Sequence, residues 1–237
     1  MRFTKIFSLL AATIFILSAC SGQSASEKIY EHLEKAVSLE DKFREQQEPL
    51  MKLEEQEQQL YNQIIDLSMD EFDQIKELSK EAAALVEERA EKLELEKESI
   101  DAAKEEFDKI KPLIDDFGEE KAEAKKIAEQ LVETMNKRYN AYQDLYKAYQ
   151  KALNLDKELY KMLQQKDLTQ EELQQQVKSI NESYSAVIEA NKQFNKYTQE
   201  YNELKKQFYE AVGLDVAYEN SAESKSKDNK NKSEEAE

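Results

Sequence analysis

Glycine and proline are nearly missing from this sequence, at three and two residues among 237. Strands joined by tight turns need those residues, so the shortage excludes a β-rich fold and leaves long helices. Histidine and cysteine are scarcer still, with His32 and Cys20 alone. A ferritin-like di-iron centre needs two inward Glu-x-x-His pairs, and the residue three before His32 is Ile29. Zinc ligation and Ser-His or Cys-His nucleophilic catalysis fall with the same shortage. No glycine-rich phosphate loop is present either. His32 therefore reads as a polar residue on the flank of the first helix. No catalytic residue, metal site or cofactor is expected; a cation held by surface acids, or a hydrolytic role, is the weaker alternative. Positive charge is also in deficit, with 34 Lys and Arg against 51 Asp and Glu and a net charge of −17. That balance excludes nucleic acid as a partner, and simple attraction to anionic lipid or any other polyanion.

Long apolar runs are absent apart from Ile6–Leu17, twelve uncharged residues behind Arg2 and Lys5. Twelve residues cannot span a hydrocarbon core of ~30 Å, so the run reads as a secretory signal over 1–19. Leu17-Ser18-Ala19-Cys20 resembles a bacterial lipobox. The motif implies cleavage between Ala19 and Cys20, with a diacylglyceryl group on the Cys20 thiol. An ordinary secretory signal ending at a cysteine is the alternative. The expected location is the extracytoplasmic face of the cell membrane, with lipid as the sole anchor.

Residues 20–25 form a lipidated terminus and tether, and Ser24 with Glu27 has capping-box spacing. Apolar residues from Ile29 to Leu67 recur at helical intervals, with a kink expected at Pro49. Ser68 with Glu71, and Thr169 with Glu172, repeat the capping box about one hundred residues apart, each with a hydrophobic staple (Leu67 and Phe72; Leu168 and Leu173). Between them runs a heptad seam from Phe72 to Ile114 whose polar members include Arg89 and Glu96. A third seam follows from Ala124 to Met162 and a fourth from Leu173 to Val212, where Gly213 offers a left-handed cap. Pro112, Asp115, Asp116 and Gly118 place a turn between the second and third helices, with capping-box spacing from Asp116 to Glu119. One continuous helix through Gly118 is the alternative. The pattern predicts an all-α fold, an elongated antiparallel four-helix up-and-down bundle over 26–213. Its helices lie at about 26–67, 69–117, 119–166 and 170–212. The charged tail 214–237 reads as disordered.

Charge is unevenly shared: residues 26–117 hold 13 basic and 28 acidic side chains, residues 119–212 hold 15 and 16. Nine of the twelve tyrosines fall in the second, nearly neutral part. Tyr139, Tyr142, Tyr146 and Tyr149 step by three and four, one position beyond the core seam. They read either as a widened packing face or as an exposed aromatic ladder for sugar rings or a partner helix. The ladder is the candidate binding surface.

The lipobox, the Glu/Lys/Gln-rich helical body, the Leu-[Ser/Thr]-x-x-Glu helix starts and the charged tail together resemble the YkyA-type family of Gram-positive lipoproteins, described as cell-wall-binding. The resemblance spans Cys20 to about Leu214 and implies a four-helix bundle outside the membrane, with Cys20 as its only transferable site. Peptidoglycan or another envelope component becomes the expected partner, with docking on a membrane protein complex as the alternative. Cys20→Ala is expected to abolish metabolic palmitate labelling and release the protein from the membrane fraction, since two acyl chains at ~0.8 kcal/mol per methylene would anchor it. Unchanged labelling and retention in the variant would remove the lipobox reading.

Overall fold

The computed structural model describes residues 23–214, and among them every regular element is helical. In order these are α1 (Ala25–Leu39), α2 (Asp41–Ile65), α3 (Phe72–Asp108), the single turn α4 (Lys111–Ile114), α5 (Ala122–Met162) and α6 (Gln170–Ala211). Two 3-10 turns, Met69–Glu71 and Glu119–Lys121, precede α3 and α5. The signal segment, Ala19, Cys20 and the tail beyond Leu214 lie outside the described residues.

Three helix starts, at Ser24, Ser68 and Thr169, carry a capping box that satisfies orphan amides, whereas α2 and α5 begin without a side-chain cap. Ser24 accepts from the Glu27 amide at 3.3 Å while Glu27 accepts from the Ser24 amide at 2.7 Å. Thr169 and Glu172 repeat the exchange at 3.3 and 3.0 Å. At Ser68 the amide donates to Glu71 at 3.1 Å, and the box opens a 3-10 turn before α3 begins. Gly213, at φ 74°, closes α6, with Leu214 N–H bonded to the Tyr209 carbonyl and Gly213 N–H to that of Glu210.

The four arms alternate in direction and form one bundle, α1 and α2 together making the first arm. α3 packs on α1, α2 and α5, and α5 on α6. α6 reaches the first arm through long side chains, as where Tyr30 and Tyr209 rings meet at 5.1 Å. The chain reverses between Asp108 and Ala122, so no continuous helix runs through Gly118. The cap there is Gly118 itself, in extended conformation ahead of Glu119–Lys121, and the Asp116–Glu119 spacing is not the one used.

The interruption in the first arm falls at Glu40, nine residues before the expected kink at Pro49, which lies within α2. Ser99 of α3 explains the place. Its hydroxyl donates to the Leu39 carbonyl at 2.6 Å and accepts from the Phe43 amide at 3.1 Å. A side chain from another helix thus sits in a gap of the i to i−4 ladder, a recognised cause of a break. The core divides at the same level. One cluster gathers Ile29, Leu33, Phe107, Leu131 and Phe208; the other gathers Phe43, Ile64, Val86, Tyr142 and Phe194.

Candidate functional site

Charged residues on the apolar seams bring polar chemistry into this interior. Arg89 of α3 is 2% exposed and meets groups from three other helices. Its guanidinium pairs with Glu57 of α2 and, at 3.3 Å, with Glu54; Asp156 of α5 lies at 3.5 Å. It donates to the hydroxyls of Tyr149 (2.9 Å) and Tyr184 of α6 (2.8 Å). Each phenol passes its own proton on, Tyr149 to Glu54 and Tyr184 to Asp156, both at 2.5 Å. Tyr160 likewise donates to Glu57 at 3.0 Å. Burial works against the charge of Arg89, but the tyrosines and carboxylates around it push its pKa up. Burial raises Glu57 and Asp156, with Arg89 opposing in both.

Three further polar groups lie along the rod. Glu96, 5% exposed, accepts from the Gln47 amide, and burial pushes its carboxyl up to about 8. Arg138 grips Glu40 at 2.6 and 2.8 Å and lies 5.0 Å over the Phe194 ring. Lys205, 1% exposed, pairs with Glu34 at 3.2 Å, and burial pulls its pKa down. Near the first end, His32 Nδ1 lies 2.7 Å from Glu106. Burial would raise that carboxyl, yet hydrogen bonds from Lys109, His32 and Lys35 hold it down at about 2.

These charged groups pair with one another or with side chains of adjoining helices, while the hydroxyls of Tyr142, Ser183 and Tyr201 are buried without a partner among the described residues. Two shallow surface grooves occur, one of about 330 Å³ between α2 and α3 beside Leu60 and Leu85, one of about 280 Å³ between α5 and α6 beside Ala148 and Ser183. No group of three or more His, Cys, Asp or Glu among the described residues is placed to hold a metal ion.

The tyrosine ladder is not an exposed binding surface. Tyr142, Tyr146 and Tyr149 are 1, 8 and 8% exposed, and Tyr139 is half-buried. Tyr142 stacks edge-on against Phe43 and tilts against Phe194. Tyr146 donates to Glu94 of α3, and Tyr139 to Asp101 of α3 at 3.0 Å. The physical reason is that α5 packs on two neighbours, α3 and α6, and needs two apolar edges; a single seam accounts for only one. What the sequence pattern did not single out lies elsewhere. Ile65 and Met69, at 57 and 62%, are the exposed large apolar residues of the described chain, both at the turn from α2 to α3. The available signal was phase: Ile65 follows Ile64 off the stripe, and Met69 sits inside a capping box that needs no apolar side chain.

The sequence profile of a family described as "YkyA: Putative cell-wall binding lipoprotein" matches residues 24–211, the whole bundle. The chain belongs to the YkyA family. It is 37% identical over 205 residues to the uncharacterized lipoprotein YkyA of Bacillus subtilis (strain 168), covering 86% of this chain and 91% of that one. A 1.6 Å crystal structure of a conserved protein of unknown function from Staphylococcus aureus superposes with a TM-score of 0.57. It is 20% identical and covers 80% of this chain and 97% of that one, a likeness of fold alone. No described helix is long and apolar enough to cross a membrane.

Two variants test the interior. Tyr142→Ala with Tyr149→Ala is expected to remove several kcal/mol of unfolding free energy, given ~3–5 kcal/mol for a buried aromatic truncation. Urea denaturation reads this, and an unchanged midpoint would mean that the rings are not core. Glu96 ionises near 4.5 when unfolded and near 8 when folded. Between those values the folded chain keeps a proton that the unfolded chain has lost, so stability falls as pH rises through the window. Glu96→Gln is therefore expected to gain unfolding free energy over the parent at pH 8 relative to pH 5, by on the order of 1–3 kcal/mol, read by urea denaturation at the two pH values. An equal difference at both pH values would show that Glu96 does not titrate in this way.

Proposed function

We propose that this chain is a lipid-anchored, extracytoplasmic helical rod that holds to the cell wall and catalyses no reaction. The observation that carries the reading is the polarity of the rod. α1 begins at Ala25, five residues after Cys20, at the same end as the turn 109–121 and the close of α6. The turns 66–71 and 163–169 lie at the other end, about 60 Å away by the rise of a 41-residue helix. A lipid on Cys20 would tether one end at the bilayer and carry the other outward, the geometry required to bridge membrane and wall. The family description supports the wall as the partner, and the pairing of the buried charges Arg89, Arg138 and Lys205 with carboxylates supports a structural role for them. Because the body is acidic, an anionic wall polymer would need bridging cations or a local basic patch, whereas uncharged glycan would not.

Incubating the lipid-free chain with purified peptidoglycan sacculi, and separately with detergent-solubilised membranes, tests the proposal. Sedimentation with sacculi is expected. Recovery of one membrane protein, with the chain left in the supernatant above sacculi, would replace wall binding by docking on a membrane complex.

A further inference from the structure

The end of the rod opposite the start of α1 exposes two large apolar side chains among acidic residues. Ile65 is the last residue of α2 and Met69 opens the 3-10 turn that follows. Leu67, between them, is half-buried and packs on the core, so the turn is pinned while its two neighbours stand out. Single exposed apolar residues are ordinary on any surface. Here the two exposed large ones fall within five positions, at one end of a rod whose other large apolar side chains are at least partly covered. The second turn at this end joins the same surface, because the Lys166 ammonium lies 5.2 Å over the Phe72 ring.

The charge of this end is one-sided. Residues 65–73 contribute Asp66, Asp70, Glu71 and Asp73 with no base; residues 163–173 contribute Asp167, Glu171 and Glu172 against Lys166. All seven acids are exposed. A second copy meeting this tip end to end would set acid against acid, so the charge disfavours self-association. It favours a segment whose apolar side chains cover Ile65 and Met69 while lysines or arginines on its flanks meet the acids.

We infer that the anchor-distal tip is a docking site for a cationic amphipathic segment of another protein. The inference stands apart from wall binding, because it calls on no glycan contact. The partner class follows from charge complementarity: an apolar face alone would leave the negative charge of this end uncompensated, and a polycation alone would leave Ile65 and Met69 in water.

Fluorescence anisotropy with the full chain in detergent and a labelled peptide of leucine and lysine at helical spacing tests it. Binding is expected, weakening as salt rises. Ile65→Ser with Met69→Ser is expected to weaken it at least tenfold with the melting temperature unchanged, since both side chains already face water. A peptide with serine in place of leucine should bind at least tenfold more weakly, and one with glutamate in place of lysine should not bind. Undiminished binding to the double variant would place the peptide on the acidic flank of α2 and α3 and overturn the proposal. Equal binding of the leucine and serine peptides would overturn it too. A parent chain that dimerises, with the double variant monomeric, would make a second copy the occupant instead.

Discussion

An arginine cannot shed its proton inside a protein, so once Arg89 is out of water everything around it must answer a fixed positive charge. It is answered by Glu57 and Glu54 from α2, Tyr149 and Asp156 from α5, and Tyr184 from α6. Losing one partner of such a pair typically costs ~3–5 kcal/mol, because the remaining charge stays buried and unpaired. Seen this way the three tyrosines of the network are more than ring packing. Each phenol donates to a carboxylate, and Tyr149 and Tyr184 also accept from Arg89, which keeps more than one acid close to one base.

A heptad seam repeats itself, and a helix slipped by seven residues, about 10 Å, would still present an apolar face to its neighbour. Polar groups remove that freedom. A slip of α3 would take Arg89 away from Glu57 and Asp156 together and pull Ser99 out of the gap between Leu39 and Phe43. A slip of α5 would separate Arg138 from Glu40, and one of α6 would separate Lys205 from Glu34. The break at Glu40 belongs to the same logic. Ser99 and the Arg138–Glu40 pair occupy the level where the two apolar clusters divide, so the first arm changes course where polar side chains hold it.

The fold was legible because each of its determinants is local. The capping boxes at Ser24, Ser68 and Thr169 and the uninterrupted three-four spacing require nothing beyond a few neighbouring residues. Arg89 and Glu96 were visible as polar members of a seam. Their partners were not, since Glu57, Tyr149 and Gln47 come from other helices and only the folded register brings them in. The break at Glu40 was hidden for a related reason: Pro49, the local signal, lies within α2, whereas the hydroxyl of Ser99, 59 residues beyond Glu40, sits where the ladder opens. The tyrosine ladder failed on neighbour count. Spacing places Tyr142, Tyr146 and Tyr149 on one edge of α5, but whether an edge faces water depends on how many helices surround it. Cys20 lies outside the described residues, so its motif is read from the sequence alone.

The same dependence on neighbours separates the two ends of the molecule. At the end where α1 begins, Leu113, Val212 and Leu214 pack against the core, and Gly213 there adopts the αL conformation. Apolar residues beyond the helices there have somewhere to go. At the far end Leu67 packs on the core while Ile65 and Met69 stay exposed, and the Ser68 amide between them is held by Glu71 at 3.1 Å. The two ends thus close by different means: an αL glycine cap followed by a packed leucine at one, and a capping box with exposed apolar neighbours at the other.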